Sequence, residues 1–214
     1  MHLREIGASG LKVSPLALGT MGFGSDWHGV GAIDEKTARS LVDLAARMGV
    51  NFIDTADIYG RGASETMLGK ILQGRRDKFV ISTKVLGEMR PGDPSSRGLS
   101  ARHICEGLDD SLKRLKTDYV DLYMPHDTDP SVPLEESLGA FEKAVKAGKV
   151  RVLGCSNFQG GEWRQCLAWA EKNKAKRMEF NEIQLSLAAP DCEDDLAPLC
   201  REKKISVVAW SPLG

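Results

Sequence analysis

The chain has 214 residues, 42% of them hydrophobic and 28% charged, enough to bury a sizeable core within one domain. Its 29 lysines and arginines offset 30 aspartates and glutamates, for a formal net charge of −1, and the charges are dispersed. That balance argues against a nucleic-acid or anionic-membrane binder, and no apolar run approaches bilayer length.

The five cysteines, at 105, 155, 166, 192 and 200, lack C-x-x-C or zinc-type spacing. The opening MHLREIGASG carries no signal-peptide pattern. Reduced thiols in a cytoplasmic protein without a metal site are therefore expected.

In chain order, LREIGASGLKVSP predicts a β-hairpin turning at Ala8-Ser9-Gly10. A short strand follows at 16–18. Asp34 caps a helix that turns Ala38, Leu41, Val42, Ala45 and Met48 inward and stops at Gly49. A strand at 51–53 precedes a helix capped by Ser64, with Leu68, Ile71 and Leu72 inward and Gly74 beyond. After a strand at 79–82, Ser100 starts a helix striped by Ile104, Leu108, Leu112 and Leu115. A strand at 119–124 leads to Pro133, which fits the first turn of a helix burying Leu134, Leu138, Phe141 and Val145 and ending at Gly148. Strands at 150–154, 180–185 and 205–210 alternate with helices near 160–172 and 193–203.

Strand–helix alternation with short links predicts a parallel sheet covered by helices. A doubly wound dinucleotide fold needs G-x-G-x-x-G after its first strand, and neither GTMGFG at 19–24 nor GVGAID at 29–34 completes it. The expected fold is α/β, a (β/α)8 TIM barrel with an N-terminal hairpin, forming a single domain over residues 1–214. Seven strands are visible, so the barrel is expected to be incomplete and the sequence a fragment of a longer protein.

Active sites of such barrels form at the C-terminal rim, from residues that end several strands. Asp54 ends the second strand, with Tyr59 in the loop behind it. Thr83-Lys84 follow the third, His126 the fourth and Cys155-Ser156-Asn157 the fifth. The sixth carries Asn181 and Gln184, and Trp210-Ser211 end the seventh. Taken singly, each has an ordinary reading: Asp54 a turn residue, Tyr59 a loop aromatic, Lys84 a solvated strand end, His126 a surface histidine. Taken together they describe proton donation by a phenol. Free tyrosine, with a pKa of about 10, is a poor acid near neutrality. A neighbouring ammonium on Lys84 favours the phenolate, Asp54 keeps that ammonium charged, and His126 donates a hydrogen bond to the substrate oxygen.

The set DTADIYG, STK, DLYMPH, GCSNF, NEIQLSL and WSPLG, with the opening LGTMGFG, resembles the aldo-keto reductases over essentially the whole chain. The resemblance implies an oxidoreductase that moves a hydride from NADPH to an aldehyde or ketone, with Asp54, Tyr59, Lys84 and His126 as the catalytic group. NADH stays open as the cofactor, because the family's phosphate-discriminating segment would lie beyond Gly214. Cofactor contacts are implied for Gly19, Thr20, Met21, Asp54, Ser156, Asn157, Gln184, Trp210, Ser211, Pro212 and Leu213. Trp210 stands where many relatives have a tyrosine. Phe23 and Trp27 are expected to wall the substrate pocket beside Tyr59 and His126. The partner expected is a small carbonyl compound, with no nucleic acid or membrane, and the oligomeric state is left open. The alternatives are a cofactor-binding auxiliary subunit of a membrane channel and an inactive truncated reductase.

Overall fold

Residues 4–13 form the expected hairpin, with β1 (Arg4–Glu5) antiparallel to β2 (Lys12–Val13) and Gly7 and Gly10 both at positive φ in the turn. In this computed structural model residues 1–26, 29 and 31–213 are described; Trp27 lies outside them. Seven strands follow, each parallel to the next: β3 (Ala17–Gly19), β4 (Phe52–Asp54), β5 (Val80–Val85), β6 (Val120–Pro125), β7 (Val150–Ser156), β8 (Met178–Gln184) and β9 (Ser206–Trp210). Between them run α1 (Glu35–Arg47), α2 (Ala63–Ile71), α3 (Ala101–Leu115), α4 (Leu134–Lys146), α5 (Gly160–Asn173) and α6 (Leu196–Lys203). Strand order equals sequence order, the pattern of a curled (β/α)8-type sheet rather than a doubly wound one.

Two apolar layers result from the alternation of side chains along each strand. On the outer face Ile53, Ile81, Tyr123, Leu153, Cys155 and Ile183 pack with the helix stripes. Ile104, Leu108, Leu112 and Leu115 of α3 are all buried there. On the inner face Phe52, Val80, Leu122, Val152 and Phe180 meet Ile6 and Val13 of the hairpin, which closes the lower end. Gly154 makes room for one of these: a Cβ there would lie 2.3 Å from the Phe180 ring.

Most expected helix boundaries hold. Asp34 accepts from the Thr37 N–H, and Ser100 from the His103 N–H. Two positions differ. Ser64 is not the cap of α2, because the turn Tyr59–Gly62 feeds directly into the helix and the Ala63 N–H reaches back to Tyr59 and Gly60. Ser64 is fully buried instead. Its oxygen lies 2.8 Å from Thr20 Oγ1 and 2.9 Å from Thr55 Oγ1, which ties the starts of two loops together. Met48 does not face inward but is 62% exposed. It is the residue at which α1 ends, before Gly49 at φ +80° turns the chain away.

Among the described residues no helix is long and apolar enough to cross a membrane, and the five cysteines are free, four of them buried.

Candidate active site

Inner-face positions on several strands change from apolar to polar on moving up the barrel. On β4, Phe52 gives way to Asp54; on β5, Val80 gives way to Ser82 and Lys84; on β8, Phe180 gives way to Glu182. Lys84 was expected just past its strand. It lies inside β5, which continues to Val85, and its side chain is completely buried.

An ammonium in that position is costly unless it is paired. Lys84 Nζ donates to both oxygens of Asp54, at 2.8 and 2.7 Å, and to the Thr55 carbonyl at 3.1 Å. A second carboxylate, Glu182 Oε1, lies 3.1 Å away. Asp54 also accepts from Ser82 Oγ at 2.5 Å. Burial works against the charge on Lys84, but Asp54, then Glu182, hold its pKa well above the ordinary lysine value. The cation is permanent.

Tyr59 Oη lies 3.5 Å from that ammonium, and Lys84 Nζ stands 5.3 Å from the ring centroid. The phenol pKa differs from the sequence expectation. Burial raises it; Lys84 lowers it, as expected, but Asp54 and Glu182 raise it again, leaving it at about 12. The expectation left out the removal of the phenol from water and the second carboxylate. The phenol is therefore fully protonated at neutral pH, the form a proton donor needs. His126 follows β6, held by its N–H to the Val85 carbonyl at 3.0 Å. Burial and then Lys84 push its pKa down to about 4, so the imidazole is neutral and can donate one hydrogen bond.

The residues at the ends of β7 and β9 form a second group. Trp210 Nε1 donates to Asn157 Oδ1 at 3.0 Å, and Asn157 Nδ2 donates to the His126 carbonyl at 3.1 Å and to Ser156 Oγ at 3.2 Å. Asn157 sits at φ +61° and spends both ends of its amide on the chain itself. Ser156 points inward with its O–H unspent among the described residues. Trp210 is 36% exposed and pairs in register with Gln184, which is exposed; Ser211 (φ +47°), Pro212 and Leu213 follow at the surface.

At the end of β3, Gly19 is exposed, with open space where a Cβ would be, and Met21 beyond it is half-buried. Thr20 is fully buried and donates to the Asp54 carbonyl at 2.9 Å, so its hydroxyl serves the fold. Phe23 does not wall an open pocket: it is 1% exposed and packs in the layer between sheet and helices, because its loop folds back onto Ile33.

Two functional-looking carboxylates were missed. Glu182 was hidden inside the strand run FNEIQL; its alternation with Phe180 was the available signal. Asp57, in DTADIYG, is 1% exposed with both side-chain oxygens unpartnered among the described residues. Burial, then Glu65, push its pKa well above the carboxylate range. Glu65 in turn accepts from Thr83 Oγ1 at 2.6 Å and from Arg114 Nε at 2.7 Å.

A parallel strand–helix repeat, with a buried lysine, a carboxylate, a tyrosine and a histidine gathered at its upper rim, defines the class: a (β/α)8-type barrel. The chain matches the Aldo/keto reductase family over residues 15–214 and belongs to it. It is 40% identical to the "Uncharacterized oxidoreductase YrpG" of Bacillus subtilis (strain 168), across 100% of this chain and 67% of that protein. It is 34% identical to the "Versiconal hemiacetal acetate reductase" of Aspergillus parasiticus, across 100% of this chain and 68% of that one. It is 37% identical to a "Putative voltage-gated potassium channel subunit beta" of Schizosaccharomyces pombe, across 98% of this chain and 61% of that one. The chain thus spans roughly two thirds or less of the length of the relatives it matches, down to 59% for the soybean "Probable aldo-keto reductase 1".

Proposed function

We propose that this chain carries the catalytic rim of an oxidoreductase that reduces an aldehyde or ketone, with Tyr59 as the proton donor. The observation that carries this reading is the buried chain of contacts Asp54–Lys84–Tyr59, with neutral His126 beside the phenol. The hydride would be supplied by a bound reduced nicotinamide, NADPH in the first instance. The donor set suits such a group. The half-exposed face of Trp210 can take a flat aromatic ring, the Ser156 hydroxyl can donate to a carboxamide, and the open space at Gly19 admits close approach to the backbone. Gln184 and Ser211 to Leu213 lie on the same rim and would extend the contact.

The protein's own residues then act on the substrate oxygen. His126 donates a hydrogen bond that orients it. Tyr59 passes its proton to the oxygen as negative charge develops there, since an alkoxide is a stronger base than a phenolate even with the phenol at about 12. The phenolate left behind faces the Lys84 ammonium, which stabilises it.

Consumption of NADPH followed at a panel of aldehydes and ketones tests the reading. Turnover with at least one carbonyl supports it, and bound NADPH without turnover of any member overturns it. That second result is the one expected of the other reading, a nucleotide-holding auxiliary subunit, which the similarity to a named channel β subunit favours.

A further inference from the structure

Lys84 carries two carboxylates, and the catalytic reading uses only one. Asp54 reaches the ammonium from β4, and Glu182 reaches it at 3.1 Å from β8. Glu182 is 4% exposed, and its other oxygen, Oε2, is buried with no partner among the described residues. The site therefore sets two potential anions against one fully buried cation. Two carboxylates meeting on one buried ammonium do not both ionise readily.

We propose that Glu182 is a positioning residue that holds a proton beside the Asp54–Lys84 pair, and that the loss of this proton sets the upper pH limit of Tyr59 as an acid. With the proton held, Asp54 and Lys84 balance and Glu182 is neutral. When the proton leaves for solvent, the cluster carries a net charge of −1, and a further negative charge on the Tyr59 oxygen becomes harder to form. The phenol gives up its proton less readily, and carbonyl reduction falls.

The surroundings leave few other sources for such a charge. The titratable groups facing Glu182 are Asp54 from β4, Lys84 from β5 and Tyr59 from the turn after β4. The neighbouring strands present Ser156 on β7 and Val208 on β9 as its register partners, neither of which is charged. His126 responds to Lys84 and Asp54 and is already neutral. Burial, then Asp54, raise the Glu182 pKa, with Lys84 opposing, to about 8, which places the change within reach of experiment.

The effect on catalysis rests on the reductase reading; the proton on Glu182 does not. The carboxyl carbon of Glu182 is followed by NMR in 13C-glutamate-labelled protein between about pH 3 and pH 10, without nicotinamide, and assigned through its own backbone. The expected midpoint lies well above the ordinary glutamate value of about 4.3, and it falls back toward that value in Asp54→Asn. A midpoint in the ordinary range in the unaltered protein overturns the proposal, whatever any variant does.

The second measurement is the pH profile of kcat/KM for reduction in Glu182→Gln. Its alkaline limb should move up by about one pH unit or more, with little change at low pH. A uniform loss at all pH values, with the limb unmoved, means that Glu182 only fills space and also overturns the proposal. If neither protein reduces any carbonyl, the reductase reading fails, and a high NMR midpoint still supports the proton on Glu182.

Discussion

The rings of Tyr59 and His126 meet edge to face, with centroids 5.7 Å apart and planes 76° apart. One comes from the turn after β4 and the other from the loop after β6, so the contact joins two loops that share no strand pairing. A phenol that keeps its proton and an imidazole that has none to spare as a cation then stand side by side. A carbonyl oxygen placed between them can accept a hydrogen bond from each.

Tyr59→Phe removes the proposed proton donor while keeping this ring packing. The expected result is a fall in carbonyl reduction of about 10²- to 10⁴-fold, with NADPH affinity within a few-fold of the parent. Stopped-flow reduction and fluorescence titration of NADPH measure the two quantities separately. An undiminished rate would assign the proton to another group.

His126 predicts a pH effect on stability. Its folded pKa is depressed to about 4 from an ordinary 6.5, so below pH 6.5 the unfolded chain binds a proton that the fold refuses. Its contribution destabilises the fold progressively as pH falls through 6.5 and is complete below about 4. Allowing for partial solvent screening, the size is on the order of 2–3 kcal/mol. Glu182, whose folded pKa is raised, acts in the opposite sense, its stabilisation being lost as pH rises toward about 8. The clean measurement is therefore the difference in unfolding free energy between the parent and His126→Gln, which should narrow in the parent's favour from pH 4 to pH 7.

Lys84→Met leaves Asp54 and Glu182 facing each other without their shared cation. Breaking a buried ion pair by removing one partner costs about 3–5 kcal/mol. The urea midpoint should fall by more than about 1 M, given a slope of about 1–3 kcal/mol per M. A midpoint within experimental error of the parent would show that the cluster contributes nothing to the fold.

The fold was readable because short apolar runs mark the strands and a 3.6-residue stripe marks the helices, most clearly in α1, α3 and α4. The α3 stripe and the Asp34 and Ser100 caps are where pattern and structure agree. Errors arose where one residue serves another part of the chain. Ser64 looked like a cap and is a buried hydroxyl joining Thr20 to Thr55. Lys84 pairs with Asp54 as expected, but it lies inside its strand rather than past the end, and its second carboxylate, Glu182, is 98 residues away in sequence, beyond any local window. Phe23 looked like a pocket wall because its loop was known and the loop's return onto Ile33 was not. Glu182 and Asp57 went unread for a related reason: their burial depends on neighbours contributed by other strands.

Two glycines test the helix layer. A Cβ at Gly69 in α2 would lie 2.2 Å from the Arg114 carbonyl oxygen of α3, a backbone atom that cannot swing aside. Gly69→Ala should destabilise by about 1–3 kcal/mol. Gly139 in α4 has nothing within 4 Å of that position, so Gly139→Ala should stabilise by about 0.4–1 kcal/mol. Thermal unfolding of both variants gives opposite shifts if the helix packing is as described.

The hairpin at the lower end is fastened by residues that arrive very late. The Gly7 N–H donates to Ser206 Oγ at 2.8 Å and the Ala8 N–H to Glu179 Oε2 at 2.9 Å, partners separated by 199 and 171 positions. During synthesis the hairpin is made before β8 and β9, and it must wait for those strands before its anchors exist. Contacts of such sequence separation slow folding. Until β8 and β9 emerge, the apolar underside formed by Ile6 and Val13 has only part of its final lining, a period in which a nascent chain is vulnerable to aggregation and in need of chaperone protection.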